Sequence, residues 1–173
     1  MDVIEFFELS AGKWFSQRTV HNLNSGELQA GKSDLKIEML TASDAAVVKL
    51  CQQHSINPDS TGLRGVRISW DGVPDRNQAK QVGSTILAIV PNPENPTEGQ
   101  VLQAKGNTRY VMGGDDVLTL ITESDTVHAE ERLWYLIPNL RLRTSVVKQA
   151  NGTEQASFCS EIRMGASPMT VDS

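Results

Sequence analysis

The sequence predicts an all-β chain whose strands close into an antiparallel up-and-down barrel. Two observations carry this expectation. From Thr61 onward almost every segment reads as a strand bounded by turn-forming residues. No helical layer is extensive enough to cover an open sheet of that length, so closure, which removes the edges, is the expected solution. A two-sheet sandwich is the structural alternative. A barrel of this size has room inside for one small ligand.

In chain order, residues 2–10 suit a short helix that Asp2 caps, with Ile4, Phe7 and Phe6 as its apolar stripe. Gly12-Lys13-Trp14 opens a first strand that runs to about Leu23. The turn-rich segment 24–32 leads to a second strand at about Asp34–Leu40. Ser43-Asp44 starts the clearest helix, near residues 43–55, where Ala46, Val47, Leu50 and Cys51 recur at helical spacing. Such a helix is suited to closing one end of a β structure. Further strands are expected at about 62–71, 82–90, 100–105, 115–123, 126–137, 140–149 and 154–164. Asp71-Gly72-Val73-Pro74, the proline-rich 91–96, Met112-Gly113-Gly114-Asp115 and Glu123-Ser124-Asp125 separate them. Asn151-Gly152 is a strong hairpin signal. The reading gives about nine strands in a single domain, residues 1–165, with a flexible tail at 166–173.

Composition narrows the function classes. The chain has 173 residues, 39% of them hydrophobic, with a formal net charge of −5, and no basic stripe that would mark a nucleic-acid binder. Its two cysteines, Cys51 and Cys159, have no metal-type spacing and read as small buried thiols. His21, His54 and His128 show no ligand spacing either, so no metal is expected. The acidic, amphipathic start lacks a signal-peptide pattern, and no apolar run reaches transmembrane length. A soluble protein in a reducing compartment is expected.

The barrel reading gains from Gly12-Lys13-Trp14 and Arg163. Gly-x-Trp at the head of the first strand resembles the signature of the lipocalin and fatty-acid-binding-protein superfamily, the calycins. There an arginine from the last strand lies across the tryptophan, and Arg163 stands near the end of the last strand here. A cation over an indole face would close the barrel floor.

Side chains alternate along a strand, so each strand offers two faces. Val66, Ile68 and Trp70 should look inward and Arg67 and Ser69 toward water. If Trp14 is inside, Ser16 and Arg18 share its face. Arg163 shares a face with Glu161, Cys159 and Ser157. The densest charged constellation is the hairpin Glu130–Ser145, with its turn at Pro138-Asn139. Composition alone puts Leu140 and Leu142 inside and Arg141 and Arg143 outside. The opposite choice brings Arg141, Arg143 and Ser145 to face Glu131 and Glu161, and leaves the two leucines outside for a helix or a second subunit to cover. The residues leave both choices open.

The chain resembles the S-type (CpcS/CpeS-like) phycobiliprotein lyases of cyanobacteria and related plastids. The resemblance rests on Phe6-Phe7, the run Ser10–Thr19, Trp70-Asp71-Gly72, Glu130–Tyr135, Pro138–Ser145 and Ser160–Met164, in the family's order; the Pro-Asn-Leu-Arg-x-Arg block is its most specific piece. It implies a ten-stranded lipocalin-like barrel, one strand more than the residues suggest, with the extra strand in the region 73–115. It also implies that an open-chain tetrapyrrole, phycocyanobilin or a close relative, is held in the barrel and passed as a thioether to a cysteine of a phycobiliprotein subunit.

By the same resemblance, bilin binding falls on Arg18, Trp70, Arg141, Arg143 and Ser145, and the acid roles on Glu131 and Glu161. The residue types suit this chemistry. Arginine forks and a hydroxyl match the two propionates. A carboxylate can hold the pyrrole nitrogens or keep the bilin protonated, which prepares the ring-A ethylidene for thiol addition. An indole can pack on the conjugated face. The bilin is then substrate, with no permanently bound cofactor, and the nucleophile comes from the acceptor. A homodimer, or a heterodimer with a paralogue, in the cyanobacterial cytoplasm or plastid stroma is the expected setting. The alternatives are a barrel that carries a bilin or fatty acid without transferring it, and a partner subunit inactive by itself.

Overall fold

The computed structural model describes residues 1–74 and 79–165. The tail expected at 166–173 lies outside the described residues. Ten strands form one closed barrel. They are β1 (Gly12–Asn22), β2 (Leu28–Leu40), β3 (Arg64–Pro74), β4 (Gln81–Pro91), β5 (Glu98–Leu102), β6 (Asn107–Met112), β7 (Leu118–Glu123), β8 (Val127–Ile137), β9 (Leu140–Gln149) and β10 (Glu154–Met164). Each strand pairs antiparallel with its sequence neighbours, and β1 closes on β10 with Trp14 opposite Arg163. Two helices are also present among the described residues, α1 (Val3–Ser10) and α2 (Ala45–Gln53).

The tenth strand is β6. Its sequence, Asn107-Thr108-Arg109-Tyr110-Val111-Met112, is short and its neighbour β5 has only five residues. The expected strand at 100–105 overlaps β5 and stops short of β6, because the turn between them carries no proline and a single glycine, Gly106. Two other boundaries move for the same kind of reason. β2 begins at Leu28, not near Asp34: residues 28–33 lack apolar alternation, yet they pair with His21–Ser16 of β1. β3 continues through Asp71-Gly72-Val73-Pro74, read from sequence as a separator, because β2 supplies partners from Asp34 to Gly31.

The roles of the helices also differ from expectation. α1, not α2, closes one end of the barrel. Asp2 caps it in a capping box with Glu5, and Val3, Phe6 and Phe7 pack among Trp14, Ile37, Val66 and Leu133 in the barrel interior. α2 lies against the outer wall, where Val47, Leu50 and Cys51 pack on Leu63, Ala88 and Leu102. Gly65 permits this approach, since a β-carbon there would stand 2.2 Å from Val47 Cγ2. Burial raises the Cys51 thiol pKa.

Because α1 occupies the end where β1 starts and β10 finishes, the other end is the open mouth. The turn after β9 there includes Asn151-Gly152, with Gly152 at φ +87°. The Pro138-Asn139 turn between β8 and β9 sits at the helix end, and a register shift at Tyr135/Ile137 precedes it.

Candidate functional site: the barrel cavity

The floor of the cavity is built on Trp14. Its indole is fully buried and donates from Nε1 to the Ser10 carbonyl at 2.8 Å. The Arg163 guanidinium stands over the ring at 4.2 Å from its centroid. Arg163 donates to the carbonyls of Ala11 at 2.8 Å and Leu9 at 2.5 Å, and so fastens the end of α1 to β10. The expected Trp14–Arg163 closure is thus present. Burial pulls the Arg163 guanidinium below its ordinary pKa.

Above this floor the arginine face of β9 points inward. Arg141 is 5% exposed and lies opposite Tyr135 on β8 and Glu161 on β10. Its Nε donates to Glu161 Oε2 at 2.8 Å, its Nη2 contacts the same oxygen, and its Nη1 donates to Ser10 Oγ at 2.9 Å. Ser10 Oγ is also 2.5 Å from the Tyr135 hydroxyl. Burial raises the pKa of Tyr135, against the opposing charge of Arg141. A buried hydrogen-bonded network therefore joins α1, β8, β9 and β10 beneath the cavity.

Arg143, one alternation nearer the mouth, places Nη2 at 3.2 Å from Glu161 Oε1 and 3.5 Å from Cys159 Sγ. Burial acts to lower its pKa, but the negative charges of Glu161 and Glu131 outweigh burial and the net shift is upward. Its Nε is buried without a hydrogen-bond partner among the described residues.

The inward choice puts Leu140 and Leu142 on the outer face, where both are half-buried. The cavity encloses about 530 Å³, within the roughly 300–1,000 Å³ of small-molecule sites. Its walls divide chemically. Leu35, Ile37, Ile68, Leu87, Val101 and Leu120 form an apolar side with Trp70. Arg18, Glu131, Arg141 and Arg143 form the charged side.

Five of the seven expected site residues thus line one cavity: Arg18, Trp70, Glu131, Arg141 and Arg143. The other two are on inward faces but are covered by their neighbours and do not line it. Glu161 is fully buried between the two arginines. Ser145 Oγ is 2.5 Å from Ser157 Oγ. Glu131, opposite Ser145, makes no direct hydrogen bond or ion pair among the described residues, and neither does the exposed Arg18.

Sequence reasoning did not find two further parts. Ser10 joins the arginine network from the last residue of α1. Gln103, Thr108 and Thr122 form a polar cluster on the cavity wall, with Gln103 Nε2 2.5 Å from Thr108 Oγ1 and the two threonine hydroxyls 2.7 Å apart. Thr108 belongs to β6, and its face could not be read without that strand. Among the described residues no group of His, Cys, Asp and Glu is placed to hold a metal, and no helix is long and apolar enough to cross a membrane.

A family model described as CpeS-like protein matches residues 2–164. Chromophore lyase CpcS/CpeS 1 of Trichodesmium erythraeum is 55% identical over 170 residues, covering 94% of this chain and 98% of that one. Phycocyanobilin lyase subunit CpcS of Picosynechococcus is 35% identical, covering 98% and 90%. Among solved structures, the S-type phycobiliprotein lyase CPES of Guillardia theta superposes with a TM-score of 0.88 at 31% identity, over 96% of this chain and 94% of that one. The ten-stranded barrel therefore agrees with a related solved fold.

Proposed function

The chain belongs to the CpeS-like family, and we propose that it is a chromophore lyase that holds an open-chain tetrapyrrole, phycocyanobilin in the first instance, in its barrel and delivers it to a phycobiliprotein cysteine. The observation that carries this reading is the unpaired charge facing the cavity. Glu131 and Arg18 look into an otherwise half-apolar chamber, and neither makes a direct hydrogen bond or ion pair among the described residues, though the charge of Glu131 acts on Arg143. Charged side chains that face a cavity without a direct hydrogen-bond partner are suited to a ligand of complementary charge. A bilin supplies two propionates and a row of pyrrole nitrogens.

In this reading Arg18 and Arg143 take the propionates, and Arg141 adds its remaining N–H groups. Trp70 packs on the conjugated plane. Glu131 accepts from the pyrrole N–H groups and keeps the tetrapyrrole protonated, which draws electron density from the ring-A ethylidene. The acceptor thiol then adds across that double bond: sulfur bonds to carbon, the thiol proton ends on the neighbouring carbon, and no group leaves. Glu161 supports this by fixing Arg141 and Arg143, and Ser145 by orienting the β9 wall. Cys51 and Cys159, both buried, take no part.

The outer face of β8–β10 supports a second subunit, this chain or a paralogue. Phe158, Ile162 and Met164 are 45%, 50% and 55% exposed there, beside Leu140 and Leu142. Light scattering of the purified protein tests it. The cyanobacterial cytoplasm or plastid stroma, where phycobiliproteins mature, is the matching location.

The deciding experiment is coexpression with a phycocyanobilin pathway and candidate phycobiliprotein subunits. A covalent, red-fluorescent subunit is expected. Tight bilin binding with no adduct on any subunit would leave a carrier barrel, or a partner inactive by itself, in place of a lyase.

A further inference from the structure

Trp70 and Gly83 are cross-strand partners on β3 and β4, on the faces that point into the barrel. On β4 that face carries Gln81, Gly83, Thr85 and Leu87. Gln81, Thr85 and Leu87 line the cavity, but Gly83 lies under an indole. A β-carbon at Gly83 would stand 2.6 Å from Trp70 Cζ2, 2.8 Å from Cε2 and 3.1 Å from Nε1. These separations fall well inside the roughly 3.5–4.0 Å of carbon–carbon contact. The Nε1–Cζ2 edge of Trp70 therefore rests directly on the glycine backbone. Gly83 is not among the positive-φ residues, so the strand conformation there admits any L-residue. The indole, and not the backbone, requires glycine at this position.

We infer that Gly83 is a positioning residue for the bilin: its missing side chain is the recess that holds Trp70 against the β4 wall and keeps the chamber open across from Glu131 and Arg143. The direction of the effect follows from the neighbours. On its other side Trp70 is paired with Leu35 of β2, which lines the cavity too, so sideways escape is obstructed. A methyl at residue 83 drives the indole into the space a tetrapyrrole plane would occupy. The inference rests on the bilin reading above and adds to it the residue that sets the position of the aromatic wall.

The test is a double-mutant cycle on the full chain, with phycocyanobilin titrated by absorption into the parent, Gly83→Ala, Trp70→Ala and the double variant. Gly83→Ala should weaken binding by about tenfold or more and change the ratio of the visible to the near-ultraviolet band. With Trp70 already removed, the same substitution should change affinity by less than about twofold. Equal losses in the two backgrounds, or parent-like binding by Gly83→Ala, overturn the inference. Alanine is unstrained at this φ, so any lowering of the melting temperature in Gly83→Ala comes from the indole contact and should vanish in the Trp70→Ala background. Near-ultraviolet circular dichroism reads the indole without ligand: Gly83→Ala should alter it, and the alteration should vanish in the Trp70→Ala background. An unchanged indole signal overturns the recess itself. A parent that fails to bind phycocyanobilin overturns the bilin reading instead, with the indole signal still deciding the recess.

Discussion

Arg141 and Glu161 complete one another below the cavity, with Arg141 Nε 2.8 Å from Glu161 Oε2 and side-chain exposures of 6% and 0%. Two charged residues assigned to ligand handling by resemblance are thus bonded to each other first. The floor network comes before the ligand site, and the two are separable by substitution.

Glu161→Ala takes from Arg141 and Arg143 the carboxylate that both contact directly. Breaking a buried ion pair from one side costs about 3–5 kcal/mol. A loss of that order is expected in urea-unfolding experiments, whether or not bilin is present. A stability loss below about 1 kcal/mol would show that the pair is not a structural element of the floor.

Glu131→Gln and Arg18→Ala should behave oppositely. Neither side chain has a direct hydrogen bond or ion pair among the described residues, so stability should stay within about 0.5 kcal/mol of the parent. Phycocyanobilin uptake should fall in both, and Glu131→Gln should also weaken the long-wavelength absorption of the protonated chromophore. Absorption titration checks both effects.

Among the arginines, Arg143→Ala should weaken bilin uptake far more than Arg67→Ala. Arg67 points outward, 3.9 Å from Glu38, and that partly exposed pair contributes little. Equal losses would argue that the charged wall is not the ligand wall.

Alkaline pH should destabilise the barrel through Tyr110. Burial first, then Asp2 and Glu98, push its phenol from the ordinary 10 up to about 12. Its hydroxyl donates to the Pro96 carbonyl at 2.9 Å. Between those values the unfolded chain loses the proton while the folded chain keeps it. The contribution is fully present below pH 10 and is lost as pH rises toward about 12. Denaturant midpoints measured across that window should fall with pH, and Tyr110→Phe should flatten the slope.

Much of this was legible before any coordinates. Hydrophobic alternation and turn residues located most strands because each is a local signal, and the strand expected at 140–149 matches β9, Leu140–Gln149, after its Pro138-Asn139 turn. The errors fell where local signals were weak. β6 was hidden by a turn with little turn chemistry. The first half of β2 was hidden because its pairing with β1, and not its own composition, makes it a strand. α2 was assigned to the end of the barrel because amphipathicity says that a helix packs, not where.

By itself, the sequence determined the all-β class, the positions of most strands and the residue pair, Trp14 and Arg163, at which the barrel closes. Those are properties of residue type, period and order. Only the tertiary structure decided which side of β9 looks inward, because a strand with leucines on one face and arginines on the other can bury either. The arginine face wins here because Glu161 from β10 and Ser10 from α1 meet the guanidinium of Arg141 inside. Those partners are 20 and 131 residues away along the chain. No local pattern reports a contact of that range.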